Sequence, residues 1–447
     1  MRLKAPGWAS AGGANVRDSG ESRSRWGTVA TGRRARLSLT AMAVILSLSA
    51  AACSATAVAA RGAGPAASAL RLFISPTDGS ANVSPGCGIT VTASHGRVRR
   101  VTVTTSGSAV PGTLGAGGTV WHSTWPLHTS AHYTVTATAS GPGGKTVTQT
   151  SSFATLTPSR TYTVMITEGY QQTYGVGMPI KLKFSQPVTR RAAVERAMQI
   201  TTSKPLVGAW YWLDGNRELN FRPRNYWPQH TRVSFAGHFD GLAIAPGVYG
   251  TADLTQQFTI GNSLIVVAST AGHYMKVWYK GKLLGHWPIS TGKAAYPTAN
   301  GTYLTIDKHN PTLMTGPGYK NFPVPYAVRF TWSGNYIHDA YWSVAQQGST
   351  NVSFGCVNVA PADSRLYYDL ANPGDPVTII GSPAVGQWRD GWTDWFLAWN
   401  QVLLRSATHM AVEAGPDGST FVSPSAVPGP ALTSTLHGPK PDNYLAS

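Results

Sequence analysis

Four runs in the first third of the chain, GITVTAS, RVRRVTVTTS, HYTVTATAS and KTVTQTSSF, place Val or Ala between Thr residues at a period of two. Successive side chains of an extended backbone point to opposite faces, so such a run buries one face and wets the other. A helix cannot use that pattern. TVWHSTW adds a further run, and Gly, Pro or Ser clusters separate them all. Short strands at this spacing predict an immunoglobulin-like sandwich over residues 70–156, without the antibody-type disulfide because no cysteine pair lies inside it.

A second set of runs, from TYTVMIT through PIKLKFS, MQITTS, GAWYWL, RELNFRP and TRVSFAG to QQFTIG, predicts another β domain over 160–262. Within WYWLDGNRELNF, Asp214-Gly215 favours the positive φ angles of a tight hairpin. Trp210 and Trp212 alternate and read as core. Neither β domain shows a catalytic constellation, and both read as spacers. From Ser263 the texture becomes mixed: LIVVAST, HYMKVWYKG, KLLGHWPIS, YLTIDKH and YAVRFTWSGNYIHD read as strands, APADSRLYYDLA as a helix with Pro361 in its first turn, and DPVTII as a returning strand. This gives a β-rich third domain, 263–382. Beyond it, Trp388, Trp392, Trp395 and Trp399 recur at helical spacing, which predicts an amphipathic packing helix within an extension over 383–410. Residues 411–447 are rich in Pro, Gly and Ser and read as a disordered tail.

Charged residues make up only 12% of the 447, and the net charge is +17. A basic surface attracts anionic cell-envelope polymers and lipid headgroups. Nucleic acid is not expected as a partner, because the chain has no zinc-finger spacing, RNA-binding signature or Lys/Arg-rich helix. Residues 1–53 have the order of a secretory signal: Arg33, Arg34 and Arg36 precede LSLTAMAVILSLSAAAC. The run ends at Cys53 after three alanines, resembling a lipoprotein cleavage site. Lipidation of Cys53, cleavage after the small residues, an uncleaved anchor and a twin-arginine signal all remain open, and all place the remainder outside the cytoplasmic membrane. Residues 54–69 read as a linker. Three cysteines make no disulfide framework. Cys87, in SPGCGIT, reads as a small buried residue, and a Cys87–Cys356 disulfide would silence thiol chemistry.

Cys356 and His338 are the candidate nucleophile and base. A cysteine becomes nucleophilic when an imidazole or a helix N-terminus stabilises its thiolate, and the predicted helix begins about five residues after Cys356. Gly355 frees the local backbone to aim amide N–H groups at a developing oxyanion. Spacing alone leaves a structural role for both residues equally open.

His338, fourteen intervening residues and then Ser353-Phe354-Gly355-Cys356-Val357-Asn358 resemble the signature of the L,D-transpeptidase catalytic domain (YkuD type), which reads His, a spacer, Ser/Thr-His-Gly-Cys, one residue, Asn. YPTANGTYLTIDKH and TWSGNYIHDAYWSVAQQGSTNVS are similar to segments of its mycobacterial-type members. The resemblance implies a mainly β chain with two immunoglobulin-like sandwiches, a β-rich catalytic domain and a short Trp-rich C-terminal helical extension. It implies that Cys356 attacks the donor tetrapeptide stem of peptidoglycan between meso-diaminopimelate and D-alanine, releasing D-Ala, with a second diaminopimelate amine as acceptor for a 3→3 cross-link. His338 would be the general base and acid, oriented by the backbone carbonyl of Asp339. Tyr319, Ser333, Gly334 and Asn358 match donor-binding positions, with Met314 and Trp342 lining the cleft. No metal or cofactor is implied, and a membrane anchor at the N-terminal segment is.

Phe354 departs from the family, which has His there. Two outcomes are open: a lost polar contact, or a pocket rebuilt as an apolar wall against AYW and Val352. Two other functions stay open beside the transpeptidase: a secreted cysteine L,D-carboxypeptidase, and a weakened envelope-binding protein.

Overall fold

The structure, a computed structural model, describes residues 69–426 apart from 107. The secretory segment, most of the linker and residues 427–447 lie outside the described residues. Among those described, no helix is long and apolar enough to cross a membrane.

The period-two runs form the first sandwich. One sheet orders Arg71–Ser75, Thr90–Ser94, Val120–Ser123 and Gly112–Leu114; the other orders Ser108–Ala109, Arg97–Thr105, His132–Ser140 and Thr146–Ala154. In the second sheet Val103 pairs with Val135 and Tyr133 with Phe153. These inward residues are buried with Val91 and Trp121, while the alternating Thr102, Thr104, Thr134 and Thr136 stay wet. Cys87 closes a short 3-10 turn, Pro85–Cys87, and its side chain is exposed, which corrects the buried reading.

The second sandwich packs a four-stranded sheet (Thr173–Tyr174, Leu254–Ile260, Arg232–Gly237, Met198–Thr202) against a six-stranded one. The hairpin around Asp214-Gly215 joins Leu206–Trp212 to Glu218–Pro223, with Gly215 at φ 84. Trp210 and Trp212 are core, and so is Tyr211 between them, which means both faces of this strand are covered. The cover is the C-terminal extension.

That extension corrects two expectations. The four tryptophans do not share a helix: the helix spans only Trp399–Arg405, with a single 3-10 turn at Asp394–Phe396 before it. Gly391 sits at φ 108 against the Phe330 carbonyl, a backbone conformation that ends helical continuity. Each indole then finds its own partner. Trp395 is buried, donates to the Gly177 carbonyl at 2.7 Å and lies 4.3 Å under the Arg222 guanidinium; Trp392 meets Trp332 edge-on. Nor are residues 411–422 a disordered tail. Ala411–Gly415 and Gly418–Val422 form a hairpin that completes the six-stranded sheet, Gly208 opposite Val412. Gly415-Pro416-Asp417-Gly418 is the turn of that hairpin, so its Gly and Pro mark a reversal and not disorder.

The third domain is built on nine strands ordered Gly301–Leu304, Pro376–Ile380, Leu264–Ser269, Tyr274–Tyr279, Lys282–Ser290, Val357–Val359, Tyr336–Asp339, Ala327–Arg329 and Lys308–His309. All six residues of Leu264–Ser269 are buried because it is central. Pro361–Leu370 forms the expected helix, its proline in the first turn. YAVRFTWSGNYIHD is two strands and not one: residues 331–335 turn between Ala327–Arg329 and Tyr336–Asp339, with Gly334 at φ 102. A separate hairpin, Thr312–Gly316 with Tyr319–Val324, overhangs this turn's side of the domain.

Candidate active site

Strands Tyr336–Asp339 and Val357–Val359 pair in parallel, Ile337 opposite Val357 and His338 opposite Asn358. Cys356 immediately precedes the second strand, two residues from Asn358. Residues two apart share a face, so His338, Asn358 and Cys356 look the same way. All three line one cleft of about 820 Å³, together with Met314, Tyr319, Ser333, Gly334 and Trp342. The structure thus gathers every sequence-predicted cleft residue into one place. Asp339 and Gly355 are the two predicted site residues that lie behind it.

His338 is buried, and its Nδ1 is 2.7 Å from the Asp339 carbonyl oxygen. A carbonyl only accepts, so the proton sits on Nδ1 and Nε2 keeps its lone pair. The Asp339 carboxylate points away, as strand alternation requires, and one of its oxygens is buried without a partner. Burial holds the His338 pKa down at about 4, against a smaller upward pull from the Asp339 carbonyl. The indole of Trp342 covers the imidazole at 5.8 Å, nearly parallel.

Burial also pushes the Cys356 thiol up to about 11, although the Tyr336 backbone N–H faces the sulfur and pulls the other way. The helix begins at Pro361, five residues on as expected, but the strand Val357–Val359 lies between it and Cys356, and burial outweighs any lowering of the thiol. Both shifts favour the neutral imidazole and thiol at rest over an ion pair. Cys356 is a free cysteine, which rules out its pairing with Cys87. Its Sγ donates weakly to the Gly334 carbonyl at 3.8 Å.

Gly355 is required by its surroundings. It sits at φ 119, and a Cβ there would lie 2.4 Å from Asn335 Nδ2. Its N–H does not face the cleft as expected, because it donates to Ser353 Oγ at 3.1 Å. The same hydroxyl donates to the Cys356 carbonyl at 2.6 Å, so Ser353 staples the turn that carries Cys356. Thr298, buried, donates to the Gly355 carbonyl at 2.8 Å from behind. Asn358 donates to Ser343 Oγ at 2.9 Å, fixing its amide.

Phe354 is half-buried. Its neighbours are not Ala340-Tyr341-Trp342 but the rings of Tyr296 (5.2 Å) and Tyr319 (5.9 Å), with Lys293 Nζ 4.0 Å over its own ring. Val352 lines the same cleft. Sequence reasoning did not find Tyr296, Lys293, Phe322 or Ser343, since nothing in their spacing marks them; the loop and hairpin that carry them converge only in three dimensions.

Residues 263–379 match the L,D-transpeptidase catalytic domain, and residues 80–243, reaching from the first sandwich into the second, match a bacterial Ig domain. A solved LD transpeptidase in complex with imipenem is 34% identical and covers 50% of this chain and 100% of its own, with a TM-score of 0.42. L,D-transpeptidase 5 of Mycobacterium tuberculosis (strain ATCC 25618 / H37Rv) is 33% identical over 378 residues, 81% of this chain and 78% of the relative. L,D-transpeptidase 2 of Mycobacterium tuberculosis (strain CDC 1551 / Oshkosh) is 34% identical over 346 residues, 74% of this chain and 83% of the relative. With the catalytic domain matched and relatives this similar along most of their length, the chain belongs to the L,D-transpeptidase family.

Proposed function

We propose that the protein forms 3→3 cross-links in peptidoglycan outside the cytoplasmic membrane, through an acyl-enzyme on Cys356. The observation that supports this most is the placement of His338, Asn358 and Cys356 on one face of two paired strands, with His338 Nε2 unprotonated. The carbonyl carbon of the diaminopimelate–D-Ala amide enters beside Sγ. His338 Nε2 takes the thiol proton as the C–S bond forms, and the imidazolium then gives that proton to the departing D-Ala nitrogen as the C–N bond breaks. A thioester remains. The side-chain amine of a second stem attacks it, His338 accepts the amine's proton, and the thiol is restored as the C–S bond breaks. Because both groups are neutral at rest, the thiolate forms only as bond formation begins.

The Gly355 amide is already engaged, so stabilisation of the oxyanion falls to other donors at the cleft, among them the Tyr336 N–H that faces the sulfur. Asp339 acts through its carbonyl alone. Donor contacts come from Tyr319, Ser333, Gly334 and Asn358, with Met314 and Trp342 as walls. Incubation with disaccharide-tetrapeptide and mass spectrometry of the products tests the reading. Dimer with D-Ala release supports it, tripeptide alone indicates a carboxypeptidase, and no product indicates a binding protein. A carbapenem should add one drug mass to the wild type and none to Cys356→Ala.

A further inference from the structure

The turn over residues 331–335 supplies the carbonyl that holds the nucleophile, so whatever holds that turn controls the thiol. Inside the turn, the Asn335 N–H donates to Thr331 Oγ1 at 2.8 Å and the Thr331 hydroxyl returns a bond to Asn335 Oδ1 at 2.9 Å. From outside, Arg329 donates to the Thr331 and Trp332 carbonyls at 2.8 and 2.5 Å, and Asp390 grips Ser333 at the turn's centre. The Ser333 N–H donates to Asp390 Oδ1 at 2.7 Å, and the Ser333 hydroxyl donates to Asp390 Oδ2 at 2.6 Å. Both carboxylate oxygens are used, one on each donor of a single residue. Charge-assisted bonds of this length are the stronger kind.

Asp390 belongs to the C-terminal extension and is itself fixed from both sides. Arg389 places two bonds, 2.9 and 2.8 Å, on the carboxylate of Glu218 in the second sandwich. Gly391 is pressed against the Phe330 carbonyl at the start of the turn. The turn's far end also touches the nucleophile segment, where Asn335 occupies the space a Cβ on Gly355 would need.

We propose that Asp390 is a positioning residue for the active site: by clamping Ser333 it fixes the Gly334 carbonyl on the Cys356 thiol, tying nucleophile geometry to an extension anchored on the second sandwich. The proposal rests on Cys356 being the nucleophile. A hydrogen bond from the S–H favours the protonated form, so the clamp orients the thiol and adds to the burial that keeps it protonated. Releasing it has two consequences of opposite sign. The sulfur loses its aim for an acyl carbon, while the thiol loses the bond that favours its protonated form, and small electrophiles meet more thiolate.

The test uses the purified full chain with Asp390→Ala and Asp390→Asn. Cys356 alkylation by iodoacetamide and acylation by a carbapenem are followed at pH 7.5, alongside thermal melts. For Asp390→Ala, acylation should fall about tenfold or more, the order that misplacement of a reacting atom costs. Alkylation should rise severalfold, with its pH midpoint displaced downward. Asp390→Asn, which keeps one acceptor for the Ser333 N–H, should lie between, and it carries the same signs should the alanine variant not fold. Rates that both stay at wild-type values in a folded variant, or that fall together, overturn the proposal. Wild-type protein that resists acylation while its alkylation still responds to Asp390 would sink the nucleophile assignment and leave the clamp intact.

Discussion

Phe354 shows how a single residue departs from a motif without emptying its place. An ordinary His at this position needs a polar partner for each ring nitrogen, and here the ring is bounded by Tyr296, Tyr319 and the Lys293 ammonium. A cation over an aromatic face is attracted; the same cation beside an imidazole is repelled once the imidazole protonates. Phe354→His should therefore lower the melting temperature and slow carbapenem acylation, with an unpartnered ring costing about 1–3 kcal/mol. A faster and equally stable variant would show that the aromatic wall is not the better fit. The neutral His338/Cys356 pair makes a second prediction. With His338 titrating at about 4 and the thiol at about 11, both stay in their reactive forms between those values. The acylation rate should be nearly flat from pH 5.5 to 8 and fall only as His338 protonates at lower pH. A tenfold loss per unit between pH 7 and 6 would instead mark a thiolate–imidazolium pair. Stability follows the same group: an unfolded His338 takes up a proton near 6.5 and the folded one near 4, so stability is lost as pH falls through that window, by up to about 3 kcal/mol.

Among the elements, strands with one buried face were legible in the sequence and the C-terminal extension was not. Val103 and Val135 announce their burial because each is flanked by threonines on the opposite face. The indoles at 388, 392, 395 and 399 have helical spacing, yet each is held by a partner distant in sequence: Arg405, Trp332, Gly177 and Arg222. Spacing cannot report such partners. The hairpin Ala411–Gly415 with Gly418–Val422 was hidden for a related reason, since its apolar face is short and its reason to exist is the unpaired edge of Leu206–Trp212. The candidate site divides likewise. His338 and Cys356 were legible through the motif, whereas Asp390, Thr298 and Lys293 enter from other loops and carry no local signal. Two measurements check the extension. Trp395→Ala removes a buried indole with its bond to Gly177 and should cost about 3–5 kcal/mol in a denaturant melt. Truncation before Ala411 bares a buried strand edge and should produce aggregation on light scattering. A soluble truncated chain with an unchanged melt would mean that the hairpin is dispensable.

Across the whole molecule, the C-terminal extension reinforces one end of the second sandwich and not the other. Toward the catalytic domain, the Gly175 and Gly177 amides donate to the carbonyls of Pro373 and Gly374 at 2.8 and 2.9 Å. A Cβ at Gly175 would lie 2.2 Å from the Asp375 amide, so only glycine allows the backbones this close. The extension then crosses the same junction: Phe396 packs on Tyr303 of the catalytic domain, while Asp394 next to it accepts from Asn220 at 2.6 Å and also bonds Tyr211 in the sandwich. Glu195, fully buried, gathers Trp212, Ser406, Ala407 and Thr408 and locks the end of the extension, which thus acts as a strap across the two domains. Toward the first sandwich the junction is thinner, with Asp240 accepting from the N–H and hydroxyl of Thr129 and lying 3.8 Å from His128, Trp125 stacking on His238 at 3.8 Å, and Gly241 close enough that a Cβ would lie 1.8 Å from the Leu127 carbonyl oxygen. Cooperativity follows the apolar and hydrogen-bonded area that two units share. Calorimetry should therefore resolve two transitions, one for the first sandwich alone and one for the second sandwich with the catalytic domain and extension. Asp240→Ala should leave the larger transition in place and, by loosening the thin junction, increase the radius of gyration measured by small-angle scattering. Three separate transitions would show that the strap does not unite its two domains, and carbapenem acylation surviving the melting of the second sandwich would show that the catalytic domain does not depend on it.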